Sequence, residues 1–302
     1  AKPQDSRGKM TDTKPVPLSL AFGVAALGIL VFSGMDAVMK GLVIALGVYT
    51  TMVWRSLAGI LVSGALYAVA RSPWPSRPAM RLHIVRGLVS TVMALAFFWG
   101  LARVPMAQAI ALAFIAPILS LVLAALILKE RVPRGSVVAC ACAAVGVALI
   151  LTGQARAELG ADAFEGTLAV LASAVCYAFN IVLMRAQAQV AEPVEVAFWQ
   201  SVIVGACLIP AAPWFASIPA AVHWPGIVGA AILAVTSLLL LGWAYRHGPA
   251  SYLAPTEYTS FVWAAILGWL VFGETLSPWT VAGAVAIVAG SLVAARSKPV
   301  VV

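Results

Sequence analysis

The sequence predicts an all-α polytopic membrane protein in which ten transmembrane helices form two inverted five-helix repeats. Three observations carry that prediction. Of 302 residues, 63% are hydrophobic and only 10% charged, with a mean hydropathy of +1.01; a soluble domain carries about 25% charged residues. Apolar runs of spanning length follow one another through short connections, leaving no room for an extramembrane domain. Landmarks of the first half return in order in the second after a shift of 144–145 residues.

A spanning helix needs about 20 mostly apolar residues. Such runs lie at 18–39, 47–70, 82–102, 106–128, 135–152, 166–186, 195–213, 225–245, 250–272 and 278–295. The polar, basic stretch 1–17 precedes them. The first run is too long for a signal-peptide core, so it is expected to be retained as a helix. The fifth and tenth runs, "GSVVACACAAVGVALIL" and "VAGAVAIVAGSLVAA", nearly lack polar side chains, and their small residues suit close scaffold packing.

The net charge is +8. Because Lys and Arg are spread through loops between apolar runs, this reads as topology bias and not as a nucleic-acid surface. Fourteen of them fall on one side: Lys2, Arg7, Lys9, Lys14, Arg71, Arg77, Arg81, Lys129, Arg131, Arg134, Arg185, Arg246, Arg296 and Lys298. Three, Lys40, Arg103 and Arg156, fall on the other. Both termini are therefore expected in the cytoplasm.

The repeat is read from anchors. Met39-Lys40 meets Met184-Arg185, Trp54-Arg55-Ser56 meets Trp199-Gln200-Ser201, and Trp99 meets Trp243. Pro105 meets Pro249, Glu130 meets Glu274, and Gly146 meets Gly290. The halves are expected at 18–153 and 154–302. Five helices is an odd number, so the second half enters the membrane from the opposite side, the arrangement that supports alternating access.

Several function classes find no support. No Gly-x-x-x-x-Gly-Lys-Ser/Thr loop is present, so ATP is not the direct energy source. No Ser-His-Asp or paired-carboxylate constellation stands out, so an enzyme is not expected, and no cofactor. His83, His223 and His247 lack clustered partners. Cys140, Cys142, Cys176 and Cys207 read as small core residues with no metal or disulfide role.

The candidate residues are polar or aromatic groups within the runs. Ser173, Tyr177, Asn180 and Met184 share one helical face, answered by Gly28, Phe32, Met35 and Met39 in the first run. That stripe lines a cavity or hydrogen-bonds to a neighbouring helix. Trp99, Gln108, Trp243, Tyr252, Tyr258 and Trp263 supply further cavity candidates; for Trp99, Trp243 and Tyr252 an interfacial belt is the competing reading. Asp36 and Lys40, four apart, can pair on one helix, while Arg55 and Arg86 can snorkel to the interface. Glu130 and Glu274 sit between helices at matching positions and read as structural caps, with Ser277 and Pro278 opening the last helix. Glu257, two residues after Pro255, has Ala113 as its mate, so this charge breaks the repeat. Recognition of a substrate amine, gating, a structural hydrogen bond and proton coupling are all open to it.

These residues also carry a family resemblance. "APTEYTSFVWAAILGWLVFGE" (254–274) and "AFIAPILSLVLAALILKE" (113–130) resemble the drug/metabolite transporter superfamily, specifically its EamA-type bacterial exporters. Lys129 stands where the family has Gly before the first Glu, and Phe261 stands at the repeat position of Pro117. The resemblance covers about 18–295. It implies a bacterial inner-membrane exporter or facilitator of small metabolites, with a cavity lined mainly by the first, third, fourth, sixth, eighth and ninth spans. Exporters of amino acids, aromatic ones included, are the most similar members. The aromatic, small-polar inventory with few charges suits a hydrophobic or aromatic amino acid better than a polyanion, which calls for clustered Arg and Lys. Efflux of cationic drugs or other metabolites is the alternative; a membrane-embedded enzyme or sensor is more remote.

Overall fold

The computed structural model describes residues 17–128, 134–156, 160–187, 190–247, 253 and 256–296. The expectations for the tail 1–16 and for Lys129, Glu130, Tyr252 and Pro255 fall outside these residues. The described chain is helical, with no strand. Its helices are α1 (Leu18–Leu46), α2 (Val48–Val69), α3 (Arg77–Leu101), α4 (Met106–Ala113), α5 (Ile115–Leu128) and α6 (Arg134–Arg156). They continue as α7 (Gly160–Gln187), α8 (Pro193–Leu208), α9 (Trp224–His247), α10 (Thr259–Phe272) and α11 (Pro278–Arg296). Single turns at Ile209–Ala211, Ala212–Phe215 and Ala221–His223 link α8 to α9. Six helices are long and apolar enough to cross a membrane, and Met106–Ser120, Cys140–Gly153, Thr259–Phe272 and Pro278–Gly290 are shorter apolar stretches.

Local chemistry sets the boundaries. Gly47, at φ 78°, turns the chain between α1 and α2, a conformation that disfavours residues with a Cβ. Ser76 caps α3 by accepting the Ala79 N–H, with Pro78 in the first turn. The first run extends past its expected end at 39 to Leu46.

The expected fourth span, 106–128, is interrupted at Phe114. Pro117 explains the break: it has no N–H to offer the Ala113 carbonyl, and its ring crowds that oxygen. In the expected ninth span a turn at Tyr258 precedes α10. Here Thr256, Thr259 and Ser260 each donate a hydroxyl to the carbonyl three residues earlier, so side chains compete with the helical ladder. Phe114 and Tyr258 stand 144 residues apart, within the repeat shift, and their rings meet edge-on with centroids 5.4 Å apart.

Helices pack mainly across the two halves. The most extensive pairings are α6 with α11, α1 with α9, and α3 with α7, followed by α2 with α8. Each pair is antiparallel: Gly28 lies against Leu241 while Gly226 lies against Leu42, and Gly59 meets Ser201 while Gly64 meets Phe198. At the α6–α11 seam a Cβ on Gly146 would lie 2.6 Å from Gly283 O, and one on Gly283 would lie 2.6 Å from Gly146 O. Only the absence of side chains lets these backbones approach so closely. Met39, Met52, Leu101, Met106, Leu112 and Ile118 fill the interior, while Leu61, Val92, Trp269, Leu270 and Val285 stand exposed on outer faces. That apolar exterior matches a hydrocarbon surround, not water.

Candidate functional site

Among the described residues, three groupings bring charged side chains into the apolar interior. The first lies toward the Leu46–Val48 end. The Lys40 ammonium donates to Glu274 Oε1 at 2.5 Å and to the Val104 carbonyl at 2.6 Å, and Phe272 presents its ring 5.3 Å away. The other carboxylate oxygen of Glu274 accepts the Met106 N–H at 2.7 Å. Met106 is the first residue of α4, so Glu274 satisfies an orphan donor at the positive end of that helix. The local sequence makes this possible. Gly273, in the left-handed region at φ 66°, reverses the chain after α10, and the Gly273 and Glu274 N–H groups bond back to Trp269 and Gly268 carbonyls. Gly268 leaves the room the carboxylate needs, since a Cβ there would strike Glu274 Oε2. Glu274 therefore caps α4, from the other half of the chain, and not the helix that follows it.

The second grouping joins α3, α7 and α8. His83 Nε2 lies 2.9 Å from Glu195 Oε1, and Gln187 Nε2 lies 2.6 Å from His83 Nδ1. With the amide donating, Nδ1 is the accepting nitrogen and Nε2 carries the proton that Glu195 receives. Arg86 donates to the Gln187 side-chain oxygen and, at 2.9 Å, to Asn180 Oδ1. The Asn180 amide in turn donates to Ser90 Oγ at 2.7 Å. The expectation that His83 lacks clustered partners is corrected here, because folding delivers a carboxylate and an amide from two other helices. Arg86 does not snorkel; it is held inside by two amide oxygens.

The third grouping is the polar centre. Asp36 on α1 is 1% exposed, and neither of its carboxylate oxygens has a hydrogen-bond partner. Arg55 on α2 lies within electrostatic reach of Asp36, and its Nε is buried without a partner. The Asp36–Lys40 pairing expected from their spacing does not form, because Glu274 and Val104 engage Lys40. Arg55 as a whole is partly exposed. Tyr177 lies within electrostatic reach of Asp36, Arg86 and Glu257, and the Tyr245 hydroxyl donates to Glu257 Oε1 at 2.7 Å. Glu257 is exposed, and its hydrogen-bond partner is this tyrosine, not Arg246 or Arg86.

The remaining candidates are scattered. Met39 is fully buried in the core and Met184 is exposed. Gln108 is buried and donates to Thr167 Oγ1 at 3.2 Å. Trp99 stacks under the Arg103 guanidinium at 3.6 Å, and Trp243 lies 4.3 Å from the His247 ring. Trp263 Nε1 is buried with no hydrogen-bond partner. An apolar groove of about 430 Å³ runs along Gly34, Val38, Gly41 and Ala45 of α1 beside Leu267 and Val271. By helical spacing it lies on the face of α1 opposite Asp36, and none of the candidate residues lines it. Sequence reasoning missed Gly268, Gln187 and Glu195. Gly268 had a readable signal, sitting six residues before the glutamate of a Gly-Glu turn; the other two had none without the helix pairing.

Helices of membrane-crossing length enclosing buried charges of both signs define a polytopic membrane protein with a polar interior. The EamA-like transporter family matches residues 19–152 and again 164–296, and the chain belongs to that family. Its carrier relatives differ in cargo. The pseudopaline exporter CntI of Pseudomonas aeruginosa is 26% identical over 278 residues, covering 91% of this chain and 95% of the relative. The S-adenosylmethionine uptake transporter of Rickettsia bellii is 26% identical, covering 72% of each chain. The riboflavin transporter of Rhizobium johnstonii is 26% identical, covering 76% of this chain and 74% of the relative. A crystal structure 21% identical matches 92% of this chain and 98% of its own with a TM-score of 0.61, which speaks to the fold alone.

Proposed function

We propose that this transporter is a secondary exporter of aromatic or hydrophobic amino acids, working by alternating access of two inverted five-helix repeats. Counting the four shorter apolar stretches with the six long helices gives ten spans. Both termini then lie in the cytoplasm, in the inner membrane of a bacterium.

One observation carries the reading: the helix pairings exchange between the halves. Under the repeat shift α1 corresponds to α7 and α3 to α9, so the α1–α9 pairing is the counterpart of α7–α3. The α2–α8 and α6–α11 pairings map onto themselves, and the two interrupted spans touch at Phe114 and Tyr258. A scaffold with this exchange can reach its opposite-facing state by swapping the conformations of its halves. In the present conformation the Lys40–Glu274 contact ties α1, α4 and the α10–α11 turn together at the end assigned to the outside.

Family membership supplies transport, and the relatives' unlike cargoes leave substrate choice to this chain's own residues. Tyr177, Tyr258 and Trp263, with Asn180 and Glu257 nearby in sequence, supply aromatic surface and few charges. Counterflow in proteoliposomes tests the reading. Labelled tryptophan, phenylalanine and methionine should exchange saturably, with and without an imposed pH gradient. Exchange of nucleotide sugars or organic cations with no response to these amino acids would overturn it.

A further inference from the structure

We propose that Asp36 and Arg55 form the seat for the charged head of a zwitterionic substrate, Asp36 receiving an ammonium group and Arg55 a carboxylate. This rests on the transporter reading above and assigns the residues that hold the cargo.

The argument begins with position. Asp36 lies ten residues before the end of α1 and Arg55 seven residues into α2. At 1.5 Å per residue both lie on the order of 10–15 Å inside the same end of the bundle, close to where carriers of this architecture hold substrate. An ionisable side chain at that depth is costly unless something meets it.

Next comes satisfaction. A structural ion pair at that depth is expected to close, because the attraction offsets desolvation only when geometry and hydrogen bonding are good. Lys40 and Glu274 meet that standard. Asp36 and Arg55 do not: they lie within electrostatic reach of each other, yet both Asp36 oxygens and Arg55 Nε lack a hydrogen-bond partner. Buried acceptors and donors left open in this way call for an occupant that brings the complementary groups. One ammonium and one carboxylate on the same molecule complete both, and the flat guanidinium fork suits a carboxylate in particular.

The repeat gives an independent reason. The partners of the architectural pair recur in kind in the other half, Lys40 as Arg185 and Glu274 as Glu130. Asp36 and Arg55 do not recur: the shift of 145 residues that carries Lys40 to Arg185 finds Ile181 and Gln200. A charge pair serving the scaffold belongs in both halves, whereas a pair serving an asymmetric substrate belongs in one. Among the acids inside the spans, Glu257 is the weaker amine site, since it is exposed and already accepts from Tyr245. Tyr177, within electrostatic reach of Asp36, offers an aromatic face for the cargo's side chain.

The test uses the full chain in nanodiscs and three probes: phenylalanine, phenylalaninamide without the carboxylate, and 3-phenylpropionate without the ammonium. Wild type should bind phenylalanine about 10- to 100-fold more tightly than either analogue, the size of one charge-assisted contact. Arg55→Gln should lose the preference over the amide and keep that over phenylpropionate; Asp36→Asn should do the reverse. If either single variant aggregates, the neutral double variant Asp36→Asn/Arg55→Gln leaves no buried charge unmatched, and it should show neither preference. Phenylalanine binding with both preferences intact in the variants overturns this assignment alone. Wild type that shows no counterflow of any zwitterion in proteoliposomes overturns the amino-acid reading along with it.

Discussion

One turn of α1 separates two charged residues that meet opposite fates. Lys40 is fully engaged, by a carboxylate, a carbonyl and an aromatic ring. Asp36, equally buried, has neither oxygen satisfied. The difference separates architecture from cargo handling: a contact that holds helices together closes on itself, and one that waits for a ligand stays open.

The largest expected effect breaks the closed side. Glu274→Gln leaves the Lys40 charge buried without its counter-charge and weakens the cap on α4, which should cost about 3–5 kcal/mol. The check is the melting temperature of the purified protein, and Lys40→Met added to Glu274→Gln should recover part of the loss, since coupled sites do not add. A single variant that melts with wild type would remove Glu274 from the scaffold.

Gly268→Ala sharpens the same side at smaller scale. The new methyl displaces the Glu274 carboxylate without altering any charge, for a cost of about 1–3 kcal/mol. If the loss comes from that displacement, it should shrink when Gly268→Ala is made on the Glu274→Gln, Lys40→Met background. An undiminished loss would mean simple overpacking at α10.

The smallest effect belongs to the open side. Asp36→Asn/Arg55→Gln removes two charges that have not closed on each other, so stability should change by no more than about 1 kcal/mol, and in either direction. Melting and size-exclusion profiles should match wild type while zwitterion recognition disappears. A collapse comparable to that of Glu274→Gln would make the pair structural and erase the contrast.

How much of this was readable beforehand differs residue by residue. Helix character followed from apolar run length, and the break at Phe114 was implicit in Pro117. The equivalent break at Tyr258 was harder to see, because it arises from three hydroxyls bonding back to carbonyls and not from an imino acid within the turn. Glu274 could be marked as a turn carboxylate from Gly273, but its partner could not be named, since Lys40 lies 234 residues away. Nearest-neighbour reasoning assigned Lys40 to Asp36 because i,i+4 spacing is the only proximity a lone sequence displays. His83 looked solitary for the same reason.

Hydropathy and self-similarity settle what is periodic or additive along the chain: a helical membrane protein, the approximate extents of its apolar runs, a duplicated plan and the list of charges that fall within those runs. Those properties depend on transfer free energies and local dihedral preferences, which sum over neighbours. Which charge meets which was left to the packing of α1 against α10 and of α3 against α7 and α8. Pairing energies fall steeply with distance and rise as water is excluded, so only the assembled bundle distinguishes Lys40, which is satisfied, from Asp36, which is not.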